Sequence, residues 1–295
     1  MLGKLLKYEF KATARIFLLM YAALLVVAGL NAAILPLNDN ILADFLGRIP
    51  YLYDILSSLS IFLYILVLGA VFVMTTVIII IRFYRMLGDQ GYLWFTLPVT
   101  TDQHIVSKLI VAFVWSLSSS VVAILSIGLL ALPTGWVSEL WRIPELWNSI
   151  VGLGFNPGLW IACFLLTLVA SLIYSTLMFY SAMAIGPNFL KSRLGGSVLT
   201  YVIMYVAIQI VTTILLLVIS GPLIDQAEII AQASGAGMVY SPGMDLAGPD
   251  LTAMSVAINK IILISTLSTG VMQLALATGF YFTTRYFIAR KLNLA

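Results

Sequence analysis

The sequence predicts an all-α protein: a polytopic membrane bundle of six transmembrane helices, with an N-terminal amphipathic helix and a short helix in an inner loop. Three observations predict it. Of 295 residues, 62% are hydrophobic and only 9% charged, against about a quarter charged in soluble domains, and the mean hydropathy is +1.08. Six runs contain no Lys, Arg, Asp or Glu: 16–38, 55–81, 109–138, 146–190, 194–224 and 261–284. A crossing helix needs ~20 apolar residues, and a charge at its centre costs about 2.5–3.5 kcal/mol. Alternating apolar and polar strands are absent from the sequence, so a β-barrel is not expected. This composition excludes a soluble enzyme, a disordered chain and a nucleic-acid binder. Cys163 is the only cysteine, so there is no disulfide framework.

The elements follow in order. Residues 1–15 read as a basic amphipathic helix, with Leu2, Leu5, Leu6 and Phe10 at helical spacing and Lys4, Lys7 and Lys11 on another face. Such a helix lies in the headgroup layer, its lysines on anionic lipid. The spans are expected at about 16–36, 58–81, 105–132, 159–185, 198–220 and 258–284, within one transmembrane domain covering 1–295. The first is expected to be retained rather than cleaved. Leu42, Phe45, Leu46 and Ile49 form a stripe opposite Asp44 and Arg48, which predicts a short outer helix. Trp136, Trp141, Trp147 and Trp160 suit an interfacial belt. The long run 146–190 is broken by Asn156-Pro157-Gly158, and the piece before the break is too short to cross alone. After the fifth span a short helix is expected at 225–233, then a loop rich in Gly and Pro. Pro249 then suits the first position of the last helix, near Asp250.

Six spans put both termini on one side, and charge selects the side. The termini and the loops after spans two and four hold 12 of the 15 basic residues and only Glu9, Asp89 and Asp102 as acids, a net +9; the opposite side nets −6. The positive-inside rule places the termini in the cytoplasm. The expected location is the inner (cytoplasmic) membrane, crossed several times.

The inner loop between spans two and three is unusually greasy. Tyr92, Leu93, Trp94, Phe95 and Leu97 lie between Gly91 and Pro98. Exposed apolar clusters mark binding surfaces, and Trp and Tyr are common interface anchors. Pro98 ends the short element. Thr100 or Thr101 then caps the third span, with Gln103 placed as in a capping box. The alternative is an elbow that packs under the bundle.

Little conventional chemistry is present. His104, the only histidine, is expected to cap or line the membrane edge. No spacing suits a metal site or a Ser/His/Asp set, and no aspartate lies within a span core. The six cores carry no ionisable residue, which disfavours an ion-coupled transporter. Three uncharged polar ladders remain: Thr167, Ser171 and Ser175; Tyr201, Tyr205, Gln209 and Thr212 or Thr213; and Ser265, Thr269 and Gln273. Each reads as interhelical hydrogen-bond glue or as a translocation surface.

Two segments resemble a known family. Leu5-Leu6-Lys7-Tyr8-Glu9-Phe10-Lys11-Ala12-Thr13 looks like the opening of bacterial ABC-2-type permeases, ABC transporter subunits with six spans. The pattern Asp89-x-Gly91-Tyr92-Leu93-x-x-Thr96-Leu97-Pro98-Val99-Thr100, running into Ser107-Lys108-Leu109, resembles their first cytoplasmic loop. The resemblance covers roughly the first 110 residues. Thr101 replaces the basic residue usual after the Pro-Val-Ser/Thr step. In that family six spans form half of an exporter, the N-terminal piece is the elbow helix, and the loop is a coupling helix seated on an ATPase. The resemblance therefore implies an ATPase-coupling surface of Asp89, Gly91, Tyr92, Leu93, Trp94, Phe95, Leu97 and Pro98. It also implies a substrate path near spans two and five, with Tyr64, Thr75, Tyr205 and Gln209 as candidates. The chain has no Gly-x-x-x-x-Gly-Lys-Ser/Thr loop for nucleotide. It is thus not expected to be an enzyme or to hold a cofactor; Mg-ATP would sit on a separate cytoplasmic ABC ATPase subunit. A second permease half, identical or homologous, and the lipid bilayer are the other implied partners, with no nucleic acid. The uncharged path implies an amphipathic or lipid-like cargo, such as an antimicrobial peptide or a drug. The alternative readings are a non-transporting sensor or accessory subunit, and an ion-coupled secondary transporter.

Overall fold

In the computed structural model, residues 2–34, 52–88, 100–135, 139, 141–190, 192–233 and 251–291 are described. Nearly all of these residues are helical, and none is in a strand. The helices are α1 (Leu2–Ile34), α2 (Leu52–Leu87), α3 (Thr101–Ala131), α4 (Ile143–Gly152), α5 (Pro157–Ile185), α6 (Arg193–Ala233) and α7 (Leu251–Lys291). Single turns of 3₁₀ helix follow α3 and α5. Six helices, all but α4, are long and apolar enough to cross a membrane.

Their ends follow from local chemistry. Thr100, in extended conformation, caps α3, its hydroxyl accepting from the Gln103 N–H at 3.4 Å. Asn156 caps α5, its side chain accepting from the Leu159 N–H at 3.0 Å, and Pro157 occupies the first turn, where it loses no hydrogen bond. Gly154 has φ +82°, and a Cβ there would meet the Ser255 hydroxyl, so glycine suits the α4–α5 turn. The side chain of Asn259 on α7 clamps that turn. It accepts from the Asn156 N–H and from Trp160 Nε1 (3.0 Å) and donates to the Gly154 carbonyl.

Two helices differ from expectation. The amphipathic segment 1–15 is not a separate in-plane helix: Leu2–Ile34 is one helix. Nothing between Lys11 and Ile16 breaks a helix, and Glu9 is buried against neighbouring helices. Likewise the short helix expected at 225–233 is the end of the 41-residue α6. Pro222 supplies no N–H, yet the helix runs on past it. At about 1.5 Å per residue a helix of 41 residues exceeds the ~30 Å hydrocarbon thickness, so α6 has length to spare beyond it. The expected helix over residues 42–49 and the greasy element at 89–99 lie outside the described residues.

The chain divides into two compact units. The first comprises residues 1–141 and 285–295, the second 142–284. The core of the first is one face of α1 (Phe17, Tyr21, Leu24 and Ala28) packed with Tyr64 and Val71 of α2 and with Trp115 of α3. The Phe17 and Trp115 rings stack at 4.3 Å. In the second unit α5 and α6 pair closely at their connection. A Cβ on Gly196 would collide with the Gly186 carbonyl oxygen, and one on Gly186 with the Ser197 backbone. Further along, Phe179 and Tyr201 stack at 4.8 Å.

Candidate functional site

The first unit carries a continuous polar seam at one helical register. On α1 it contains Glu9, Thr13 and Tyr21; on α2, Tyr64, Thr75 and Arg82; on α3, Lys108, Trp115, Ser119 and Ser126. Small residues on the buried face of α3 (Ala112, Ser119, Ala123 and Ser126) let the backbones approach.

At one end of the seam Glu9 is the hub of an ion triad. Its Oε1 accepts from Lys108 Nζ at 2.8 Å, and its Oε2 accepts from Arg82 Nε at 3.0 Å and from Nη2. The Glu9 and Lys108 side chains are 3% and 5% exposed, and that of Arg82 28%. Taking two charges out of water costs several kcal/mol per ion. Here close contacts offset that cost, with Arg82 bringing two donors to one oxygen. Glu9 and Lys108 lie outside the uncharged runs of the span cores, and these two buried charges pack between α1 and α3.

Away from the triad the seam is neutral. Trp115 Nε1 donates to the Thr13 hydroxyl at 2.9 Å. The Tyr21 and Thr75 hydroxyls both bond the Ser119 hydroxyl, at 2.8 and 2.9 Å. The Tyr64 hydroxyl bonds that of Ser126 at 3.0 Å. Three helices are thus cross-linked at successive levels by groups that satisfy one another.

The candidate residues fall into three groups. Tyr64 and Thr75 are buried in this seam. Tyr205 is 55% exposed and Gln209 is also exposed, on a span of α6 whose apolar window has no buried residue. Asp89, Gly91, Tyr92, Leu93, Trp94, Phe95, Leu97 and Pro98 lie outside the described residues. The loop that holds them is flanked by Arg82 near the end of α2 and Lys108 in the second turn of α3, both bound to Glu9. His104 is buried near the start of α3 rather than capping it. Arg285 of α7 pairs with Asp102 in the first turn of α3 at 3.1 Å, at an exposed position.

Most hydroxyls of the sequence-derived ladders turn inward on their own helices. Thr167, Ser171, Ser175, Thr212, Thr213 and Ser265 each donate to a carbonyl three or four residues back. Sequence reasoning missed the interhelical seam because its members lie on three different helices. The available signal was Glu9, one acid among Lys4, Lys7, Lys11 and Arg15. Among the described residues no group of three or more His, Cys, Asp or Glu side chains could hold a metal ion. The triad, with its charges already paired, is suited to fixing helix positions rather than to bond chemistry. No protein-family model, curated protein or solved structure matches the chain.

Proposed function

We propose that the chain is the membrane-spanning permease subunit of an ATP-driven exporter of the ABC-2 type. It works with a separate cytoplasmic ATPase that binds Mg-ATP, and with a second permease half. It sits in the cytoplasmic membrane with both termini inside, and its cargo is amphipathic or lipid-like. One observation carries the reading. The two segments that resemble the family are tied together by Glu9, which lies in the first and grips Lys108 in the second and Arg82 ahead of it. A loop with both stems fixed to α1 passes a push to three spans as one body. A loop on free stems would absorb it. Closure of the ATPase dimer around ATP supplies the push, and Trp94 and Phe95 receive it.

The buried Glu9–Lys108 pair also favours the runner-up, an ion-coupled transporter, since buried charges mark ion pathways. Two facts weigh against that. Every charge of the triad has a partner, and all three sit at one end of their helices, whereas coupling sites in secondary transporters lie near the midplane.

The test is co-purification from native membranes. An affinity-tagged chain should bring down an ATPase subunit, and Trp94→Ala with Phe95→Ala should release it while the permease stays monodisperse. Retention of the ATPase by the double variant overturns the loop assignment. Cargo movement that follows an ion gradient and ignores ATP selects the runner-up instead.

A further inference from the structure

One helix of the second unit is too short to cross a membrane. α4 (Ile143–Gly152) has ten residues, about 15 Å of helix, half of what the ~30 Å hydrocarbon requires. Pro144 sits in its first turn, where a missing N–H is tolerated, and Glu145 beside it suits the positive end of the helix dipole. Ile143, Leu146, Trp147, Ile150 and Val151 follow the i, i+3, i+4, i+7, i+8 pattern of one apolar face, with Glu145, Asn148 and Ser149 opposite. In a water-soluble protein such a face packs into a core. Here no residue of the helix is buried; Ile143 is 50%, Leu146 58% and Val151 48% exposed.

Three observations identify what covers this face. The first is depth. The turn from α4 into α5 is tight: the Leu153, Gly154 and Phe155 N–H groups donate to the Ser149, Val151 and Ile150 carbonyls at 3.1, 2.9 and 3.2 Å. Asn259 of α7 holds that turn through the Asn156 N–H and the Gly154 carbonyl. Asn259 stands next to Lys260, the last charge before the uncharged run 261–284, and a charge that bounds an apolar run lies at headgroup level. The end of α4 is therefore fixed at the membrane edge. The second is orientation. Trp147 Cζ2 lies 4.0 Å from where a Cβ on Gly158 would stand, in the first turn of α5, so the apolar face is turned towards the span that enters the hydrocarbon there. The third is continuity. Ile161, Phe164 and Leu165, the next turns of α5, are exposed, so the apolar surface of α4 runs on into that of a span.

We propose that α4 is an interfacial helix, lying along the membrane surface with its apolar face in the headgroup–acyl boundary of the bilayer and its Glu145 face in water. Helices that bind membranes in this way sink about 5–10 Å into that boundary. α4 has no Lys or Arg of its own, so burial of apolar side chains supplies the attraction and anionic lipid is not required. Trp147 suits the depth, since tryptophan collects at the interface. Anchored there, α4 sets the level at which Pro157 starts α5. The surface needs a bilayer and no ATPase, so it stands or falls separately from the transport function.

The test uses the full chain with Cys163→Ala, which removes the only cysteine, in nanodiscs of phosphatidylcholine. Ile143→Cys, Leu146→Cys, Ile150→Cys and Val151→Cys carry nitroxide labels on one face; Glu145→Cys, Asn148→Cys and Ser149→Cys carry them on the other. Spin relaxation compares collisions with oxygen, which concentrates in lipid, and with a water-soluble nickel chelate. Labels on the apolar face should favour oxygen several-fold and those on the polar face nickel, alternating with a period of about 3.6 residues. Adding phosphatidylglycerol should change neither. Equal nickel collisions on both faces put α4 in water and overturn the proposal. Apolar-face labels closed to both colliders place a second copy or another protein there and overturn it too, as does a pattern that needs phosphatidylglycerol. The unlabelled chain gives an independent reading. Phosphatidylcholine brominated near the top of its acyl chains should quench part of the tryptophan emission, and Trp147→Phe should reduce the quenched amount. A quenched amount that Trp147→Phe leaves unchanged overturns the proposal, even where a labelled variant fails to fold.

Discussion

The ion triad makes the sharpest quantitative prediction. Glu9→Gln removes the hub and strands Lys108, whose side chain is 5% exposed. Breaking a buried pair by deleting one partner costs about 3–5 kcal/mol. Arg82, at 28% exposure, rehydrates and adds little. Lys108→Met is milder, because Glu9 keeps Arg82; the loss is one charged hydrogen bond, about 1.5–3 kcal/mol. In the double variant the charges of Glu9 and Lys108 are both gone, and replacing a buried pair by groups of similar volume is often nearly neutral. The double variant should therefore be more stable than Glu9→Gln alone, its loss falling short of the sum of the two single losses by about 4–8 kcal/mol. Equilibrium unfolding in mixed micelles titrated with dodecyl sulfate gives the rank order directly. If the double variant unfolds at the sum of the two single losses, within about 0.5 kcal/mol, then Glu9 and Lys108 do not interact and the ion triad is wrong.

Two further perturbations test the packing. Gly186→Ala or Gly196→Ala drives a methyl group into the facing backbone of the α5–α6 connection; each should cost at least about 1–3 kcal/mol and show as lost monodisperse protein on size-exclusion chromatography, whereas Gly279→Ala, with nothing near its Cβ, should be neutral or slightly stabilising. Tyr64→Phe should cost only about 0.6 kcal/mol, the average for a hydrogen bond between membrane helices, because Ser126 still donates to the Ala123 carbonyl; a loss of several kcal/mol in the same unfolding assay would contradict the mutual bonding described for the seam.

Much of the fold could be read from the chain, and for identifiable reasons. Backbone groups in lipid must bond within their own segment, so uncharged runs of sufficient length become helices, and six do. Asn156-Pro157 announces a cap and a first turn in two residues, and Thr100 with Gln103 does the same for α3. The failures share one cause. Reading spans as runs without charge treats the first charge met as the edge of the membrane. Glu9, Arg82 and Lys108 all stand outside the runs 16–38, 55–81 and 109–138, so a rule of uncharged runs assigns each to the cytoplasmic side and says nothing of its burial. Only the packing of three helices reveals that they neutralise one another and allows the helices to continue. The same logic hid the unbroken α1, since an in-plane helix over 1–15 leaves Glu9 in water.

The seam also redistributes the polar residues between structure and function. The Tyr64, Thr75, Tyr21, Ser119 and Ser126 hydroxyls are committed to one another. A group whose hydrogen bonds are already made inside its own fold has nothing to offer a passing cargo unless the fold opens. Tyr205 and Gln209 are in the opposite position. They lie within the uncharged run 194–224 and are exposed on α6. Lipid tails offer an exposed amide no partner, so Gln209 needs one from outside its own unit's packing. On the proposed permease function, the second permease half and the cargo can each supply one. Tyr64 and Thr75 are then ties that hold α2 to α3, and of the four candidates for the substrate path only Tyr205 and Gln209 on α6 are exposed.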